Sequence, residues 1–451
     1  MVTVSKDTIL NKEIIEGAIE ENEKQRNRFN ILEDYYLGNH AILSREEALG
    51  STNEKVVVNH AKYITDINTG YLLGTPVIYK TLEEGVEIGK IIDEYDKQNI
   101  SGLDVELVKD ISIFGKQYEL QYTDGNEVRS KDIDVRNAVC IYDDTVQHKK
   151  LFGIVYQIKA DKKGFDKVTV YSEKYKYEDC TNLKGEIIVP KGKVHSFGKV
   201  PLIEYRNNSE ELGDFETVIP LIDAYNTLQS DRINDYEQTV RSILLGYGTK
   251  LTPTQRKNLE SFRMLFDLPI KGEADIEFLN KELNEQQVEV LRKSIENDIH
   301  KISMTPNMTD ENFLGNSSGV ALAYKLLPFD QNIKNKERFF ETGLMERLEI
   351  YNNYLVGISK GAKVDTYKVD AVFNRALPQN LLELSQIVNN LRGVVDDETL
   401  VGLLPFVQDP EQSIKKAQEE QLSRYMGEVG EFGTLNETTS RVENRINEEV
   451  G

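Results

Sequence analysis

Met304-Thr-Pro-Asn-Met-Thr-Asp-Glu-Asn-Phe-Leu-Gly-Asn-Ser-Ser-Gly319 is a polar stretch between two long helical patterns, and its reading divides the rest of the chain. Upstream, Val288, Leu291, Ile295, Ile299 and Ile302 recur at three- and four-residue spacing, the mark of a helix with one apolar stripe. Downstream, Ile333, Phe340, Leu344, Leu348, Tyr351 and Leu355 do the same after a start at Ser317 or Ser318, either of which suits an N-cap. A connection this long, with acids and amides at its tip, exceeds a simple turn, and such loops are often functional. The plain alternative is a surface connection.

With 451 residues the chain exceeds one ordinary domain, so two to four subdomains with a sizeable core are expected. Its 55 Lys and Arg against 76 Asp and Glu give a net charge of −21. That balance opposes tight, non-specific binding to nucleic acid, which needs clustered cations to displace counterions. It suits a wall past which a polyanion slides. Cys140 and Cys180 are the only cysteines, so a disulfide scaffold is excluded and an intracellular product is expected. No run reaches the ~18 apolar residues of a membrane span, and Met1-Val-Thr-Val-Ser-Lys-Asp7 has no signal-peptide pattern. The reading is a soluble, cytoplasmic protein without membrane contact.

Residues from Asp7 to Leu37 predict a charged helix whose polar middle, Glu20 to Arg28, leaves only its ends to pack firmly. A second helix runs from His60 to Leu73 and stops at Gly74, with Pro76 beyond. Val77 to Tyr79 predicts a strand, and a third helix covers Asp104 to Phe114. The period then changes. Gln117–Tyr122, Lys131–Val135, Leu151–Ile158, Lys167–Ser172, Lys174–Tyr177 and Glu186–Val189 read as strands bounded by turns such as Thr123-Asp-Gly-Asn126. This β-rich module ends near Pro201 to Tyr205.

Phe215, Val218, Ile222, Tyr225, Leu228, Tyr236, Val240 and Ile243 then trace a narrow stripe on a rod of roughly 30 residues, about 45 Å long. So polar a helix is expected to bridge domains or to pack edge-on against copies of itself. A small αβ unit follows, with a capping box at Thr252-Pro-Thr-Gln255 and a strand at Ala274 to Leu279. The chain returns along the helix ending at Met304. The helix from Gly319 to Val356 contains Pro328, which predicts a kink near Leu326. Strands from Val364 to Asn374 precede three short helices, Asn380–Leu391, Asp397–Leu404 and Pro410–Arg424. The stretch from Gly427 is polar and expected to be mobile.

The order of parts, and four local stretches, resemble the portal proteins of tailed bacteriophages, siphophage-type. The stretches are Val58-Asn-His-Ala-Lys-Tyr-Ile-Thr-Asp-Ile-Asn-Thr-Gly-Tyr-Leu-Leu-Gly-Thr-Pro-Val77, Thr309-Asp-Glu-Asn-Phe313, Ser318-Gly-Val-Ala-Leu-Ala-Tyr-Lys325 and Phe373-Asn-Arg-Ala-Leu-Pro378. The resemblance spans about Asp7 to Arg424. It implies an α+β fold with helical stem, β-rich wing, small αβ clip and helical crown. The parts fall at 1–214 for N-terminal helices and wing, 215–246 and 283–304 for the two stem helices, and 247–282 for the clip. A tunnel loop occupies 305–318, the kinked long helix and return to the wing 319–378, the crown 379–426 and an acidic tail 427–451.

The same resemblance implies a homo-oligomeric ring, dodecameric in the virion, at one capsid vertex. Double-stranded DNA would pass its channel during packaging and ejection without sequence specificity. Further partners would be the packaging terminase ATPase, head-tail adaptors, and capsid and scaffold proteins, with assembly in the host cytoplasm. The stripe residues Ile222, Tyr225, Tyr236, Val288, Leu291, Ile295 and Ile302 are then expected between subunits. Arg256, Lys257 and Arg263 would dock motor or adaptor on the clip. Thr309, Asp310, Glu311, Asn312, Phe313 and Asn316 would face DNA, and Pro328 would mark the kink.

No catalytic chemistry is expected. Gly315-Asn-Ser-Ser-Gly319 lacks the lysine and preceding strand of a phosphate-cradling loop. His40, His60, His148, His195 and His300 lack metal-ligand spacing. Acid pairs at Asp143-Asp144, Asp310-Glu311 and Asp396-Asp397-Glu398 read as turn and cap groups, the last suiting a helix macrodipole. No cofactor or metal is called for. Two other classes stand beside the ring: a monomeric or lower-order structural adaptor or scaffold of the virion, and a nuclease with carboxylate-bound metal.

Overall fold

Among the described residues, two of the apolar cores around which helices and strands meet are both served by the first helix. The computed structural model describes residues 2–46, 53–83, 87–125, 127–159, 164–240, 243–247, 252–254, 257, 275–279, 285–308, 319–358, 361, 364–375, 381–404, 407, 410 and 412–420. In chain order the first elements are β1 (Val2–Val4), α1 (Lys12–Leu37), α2 (His60–Leu73), β2 (Ile78–Thr81), α3 (Gly89–Gln98) and α4 (Ile100–Phe114). Strands β3 (Lys116–Asp124), β4 (Glu127–Ile133), β5 (Ala138–Asp143), β6 (Lys150–Ile158), β7 (Phe165–Ser172), β8 (Tyr175–Tyr177), β9 (Lys193–Val194) and β10 (Leu202–Arg206) follow. Then come α5 (Ile219–Val240), β11 (Ile243–Tyr247), β12 (Asp275–Leu279), α6 (Glu285–Ile302), α7 (Gly319–Gly357), β13 (Val369–Val372), α8 (Leu381–Leu391) and α9 (Asp397–Gly402).

Among the described residues the largest sheet has order β1-β5-β6-β7-β8-β9, antiparallel except for the parallel β1–β5 pair. A second sheet, β10-β3-β4, is antiparallel, and β11·β12 and β13·β2 form two-stranded pairs. Leu10 and Ile15, Ala18 and Ile19 of α1 pack on Ile141, Ile154, Val168 and Val170 of the large sheet. Phe29 and Leu32, farther along the same helix, join Ile64, Phe114, Tyr118, Phe215, Ile222 and Ile299 in the other core.

The polar middle of α1 is packed as well, contrary to the expectation from its composition. Asn22 is buried and donates to Val135 O (3.1 Å) and Tyr156 Oη (3.0 Å), and Tyr156 donates to Glu23 (2.8 Å). Arg28 pairs with Glu216 at 2.6 Å. Hydrogen bonds do there what apolar contact does at the helix ends. The helix also begins later than expected, at Lys12, where Asn11 accepts from the Ile14 amide at 2.9 Å as N-cap.

Other differences are local. Helix α3 and strand β5 go beyond the sequence reading, and Glu186–Val189 yields an isolated bridge, Thr181↔Ile187, instead of a strand. Helix α2 ends at Leu73 as expected, but Gly74 is right-handed. Glycine is needed because a Cβ there would stand 2.6 Å from Gly70 O. The rod α5 stops at Val240, so Ile243 opens strand β11 and leaves the helical stripe.

The chain divides into two compact units, residues 1–315 with 325–375, and residues 316–324 with 376–451. In the second, α8 and α9 pack together, and Asp396 caps α9 by accepting from Thr399 N at 2.8 Å. Asp397 and Glu398 occupy the first turn, where carboxylates suit the macrodipole.

In the first unit, Arg347 of α7 is fully buried. Its Nη1 meets Asp104 Oδ1 of α4 at 2.6 Å, and its Nε lies 3.0 and 2.9 Å from the Glu119 oxygens of β3. Nη2 lies 2.9 Å from Glu119 Oε2 without the alignment of a hydrogen bond. Tyr205 of β10 donates to the same Oε2 at 2.6 Å. Burial pushes the Asp104 carboxyl up and Arg347 pulls it back. Gly343, one turn earlier on α7, leaves room for the Tyr205 ring, since a Cβ would lie 2.3 Å from its Cε1.

His60, at the start of α2, stacks edge-on against Tyr225 (4.8 Å between centroids) and His300 (5.7 Å). Burial, then the neighbouring His300, lowers its pKa to about 4; Glu296 opposes and His40 adds a smaller push down. Protons therefore bind the unfolded chain first as pH falls, and stability is lost between about 6.5 and about 4, by about 3 kcal/mol in all. Thermal melts from pH 7 to 4.5 are expected to show a flatter decline for His60→Phe than for the wild type; identical slopes would remove His60 from the acid sensitivity. Arg347→Met leaves two buried carboxylates unpaired and is expected to cost about 3–5 kcal/mol in denaturant melts. Adding Asp104→Asn and Glu119→Gln to it should recover most of the loss.

Candidate functional site

The helices α5 and α6 run antiparallel, because early residues of one meet late residues of the other. Arg232 reaches Glu285 (2.9 Å) and Glu289 (3.4 Å), while Arg292 reaches Tyr225 Oη at 3.1 Å. Arg292 also pairs with Glu289 (2.7 Å) and Glu296 (2.6 Å) on its own helix. The hydrogen bond from Arg292 holds the Glu289 carboxyl down at about 2, against an opposing effect of burial and with help from the charges of Arg292, Arg232 and Lys293. The pair is thus joined by a charged ladder, with apolar contact at its base around Ile222, Tyr225 and Ile299.

A second face of α5 binds an extended segment of the same chain. Asn226, Ser230 and Asn234, spaced four apart, accept from the amides of Val58 (2.8 Å), Val56 (3.0 Å) and Glu54 (2.8 Å), spaced two apart. Four helical residues rise about 6 Å and two extended residues about 6.6 Å, so the two repeats keep step over three bonds. All three side chains are buried. They are why a helix so polar has a well-packed side.

The seven stripe residues fall into two groups. Ile222 and Tyr225 are buried in the chain's own core, which leaves them little surface for another subunit, and Ile295 packs half-buried against that core. The narrow apolar stripe at the base of α5 is filled by α1, α2 and α6 rather than by a copy. Val288 is half-buried. Tyr236, Leu291 and Ile302 are 64%, 50% and 51% exposed. Exposed Ile233 on α5 and Val290 on α6 (70%) join them. The available signal for Val290 was an apolar residue standing off the helix's buried stripe.

Beyond the helices, β11 and β12 pair antiparallel from Ile243↔Leu279 to Tyr247↔Asp275. Lys257 is exposed; Arg256 and Arg263 lie outside the described residues. At the other end, the segment after α6 is tied to α2. Thr305 Oγ1 donates to Asn68 (3.2 Å), Tyr63 Oη donates to Pro306 O (3.0 Å), and Met308 N donates to Tyr63 Oη (2.9 Å). Asn68 also donates to Asp214 (2.8 Å), whose carboxylate pairs with buried Lys336 of α7 at 2.8 Å. Burial lowers the Lys336 pKa and Asp214 opposes. Thr309, Asp310, Glu311, Asn312, Phe313 and Asn316 lie outside the described residues. Pro328 lies inside α7, between buried Leu326 and Phe329, with helix on both sides.

Among the described residues no three His, Cys, Asp or Glu side chains are grouped to hold a metal ion. No helix among them is long and apolar enough to cross a membrane.

The family model for phage portal proteins of the SPP1 Gp6-like type matches residues 16–424. The portal protein of Bacillus phage SPP1 is 24% identical over 394 residues, covering 82% of this chain and 76% of that protein. The portal protein of Clostridium phage phiCD119 is 22% identical over 428 residues, covering 86% of this chain and 91% of its own length. A solved structure described as the neck of an empty GTA particle, computed with C6 symmetry, aligns with a TM-score of 0.44 at 12% identity, over 76% of this chain and 89% of its own. The match to the family model runs through α5 and α6 and nearly the whole described fold, and the chain belongs to the SPP1 Gp6-like family of phage portal proteins.

Proposed function

We propose that the chain forms a closed ring, twelve-fold in the virion, at one vertex of a phage capsid, and that double-stranded DNA passes through its channel during packaging and ejection. Membership of the portal family supports a place in the virion. The observation that carries the ring is the outward set Tyr236, Val290, Leu291 and Ile302 on a helix pair whose inner faces are already filled. Apolar side chains in that position are covered when identical copies stand side by side, and a heterologous contact that closes gives every copy the same surroundings.

In this reading α5 and α6 are the stem, and residues 247–282 form the clip on which the terminase ATPase and head-tail adaptors dock through Arg256, Lys257 and Arg263. The loop 309–318 faces the channel. Asp310 and Glu311 repel phosphates there, while Asn312 and Asn316 exchange hydrogen bonds with water at little cost, so contacts carry no base readout. Pro328 is the point on α7 where a bend would accommodate loop movement. The protein itself carries out no reaction; the motor supplies the work. Assembly takes place in the host cytoplasm with capsid and scaffold proteins.

Tyr236→Asp with Leu291→Asp is expected to abolish rings in mass photometry while circular dichroism stays unchanged. Ile222→Ala should instead destabilise the subunit by roughly 2–5 kcal/mol, because it opens a cavity in the chain's own core. Rings of normal mass from the double aspartate variant would rule out this face as the contact. For the channel, Asp310→Lys with Glu311→Lys should leave rings assembled but slow packaging, with DNA held more tightly and the defect easing in high salt. Normal packaging by those rings would take the loop out of the mechanism.

A further inference from the structure

Strand β9 forms one edge of the largest sheet, and no further strand among the described residues pairs with its outer side. The register sets Tyr175 opposite Val194 and Lys176 opposite Lys193. One step farther along the ladder, His195 N donates to Lys174 O at 3.1 Å. Hydrogen-bonded and non-hydrogen-bonded positions alternate in an antiparallel pair, so Tyr175 and Val194 turn their N–H and C=O groups away from each other. Those of Val194 therefore point to the open edge.

The two faces of the sheet differ in chemistry at this edge. Tyr177 stands opposite Val170 and packs against the core that α1 covers. Tyr175, two residues before it, shares that face, and so does Val194, which is 77% exposed. The other face carries Lys176 and Lys193, with the Lys176 ammonium 5.7 Å from the centre of the Tyr171 ring. Both lysines pair with Glu178, at 2.7 and 2.6 Å, so two cations share one carboxylate. Hydrogen bonds from Lys176 and then Lys193 hold Glu178 down at about 2, which keeps it ionised. Lys174 and Lys191, exposed at opposite ends of the strand pair, have no ion-pair partner among the described residues. Residues 149–199 as a whole hold twelve lysines against six Asp and Glu, a surplus of +6 in a chain whose net charge is −21.

We propose that β9 accepts a further strand, an extended segment of a different polypeptide in which acidic and apolar residues alternate. Its backbone pairs with the N–H and C=O of Val194, its apolar side chains lie beside Val194 and Tyr175, and its carboxylates lie beside Lys193 and Lys176. A period of two is what sets one kind of side chain on each face. An identical edge from a second copy would bring Lys193 against Lys193, and lysines at a sheet edge guard against that pairing. The phosphate backbone of a nucleic acid offers the lysines charge, but it has no N–H for the Val194 carbonyl and nothing apolar for the Val194 side chain. The set offered to neighbouring copies stands on α5 and α6, so this site is independent of the ring and of the channel.

The probe is a fluorescently labelled octapeptide of alternating Glu and Val, titrated against the full chain by anisotropy. Its controls are the alternating Lys and Val peptide, a peptide of the same composition with its glutamates and valines in separate blocks, and the parent peptide with its valine amides N-methylated. The parent is expected to bind, and each control to bind at least roughly tenfold more weakly. Val194→Pro removes the outward N–H and leaves the ladder to β8 intact, since proline is tolerated where the N–H of an edge strand faces out. It should weaken the parent peptide by a similar factor with the melting temperature unchanged, and so should Lys193→Glu. Absence of binding by the parent, equal binding of the lysine peptide, or equal binding of the N-methylated form would each overturn the proposal. Displacement of the peptide by a short DNA duplex would make the lysines a phosphate surface and overturn it too. A change of oligomeric mass on Val194→Pro in mass photometry would make this edge a contact between copies, with the same consequence.

Discussion

A guanidinium without access to water holds the body of this protein together. Arg347 lies on α7, and its partners come from α4 and β3, with Tyr205 of β10 completing the Glu119 hydrogen bonds. None of these charges tolerates burial alone, so the three elements are tied to one arrangement in which the geometry closes. Eleven residues earlier on α7, about 16 Å along the axis, Lys336 repeats the device with Asp214 and Ser112. Two buried cations thus set both the position and the rotation of the long helix, and Gly343 between them admits the Tyr205 ring. Apolar packing alone tolerates a helix that slides or turns; paired charges do not.

The same use of polar groups governs α5. Asn226, Ser230 and Asn234 read the backbone of residues 54–58 at matched spacing, and so fasten one side of α5 to its own chain. The base of α5 is occupied by the core and its flank by the charged ladder to α6. What remains outward is a small apolar set around Tyr236 and Leu291. A helix that looked too polar to pack is packed on two sides, and the surface left for copies of the subunit is narrower than its stripe suggested.

The segment following α6 shares in this network. Thr305 and Asp214 are held by opposite ends of the Asn68 carboxamide, and Asp214 in turn holds Lys336. A continuous run of hydrogen bonds therefore joins Thr305 to α2 and α7. It fixes residues 303–308, through α2, against the helix that Arg347 places.

Much was legible in the amino-acid sequence alone. Periodicity marked α2, α6 and the meander of β6, β7 and β8, because repeats of 3.6 and 2 residues express which side of an element is apolar. The quoted stretches pointed to the portal family, and the family model matches residues 16–424. The acid run at Asp396 read correctly as a helix start, because capping depends on neighbours in sequence. Tertiary structure alone decided what each apolar face meets, which is why Ile222 and Tyr225 belong to the subunit's own core. It also decided the polar interior. Arg347 and Asp104 are 243 residues apart, and Asn22 and Val135 are 113 apart. In a linear pattern such residues are indistinguishable from solvated ones, because the burial of a polar group is allowed only by a partner that the fold brings to it.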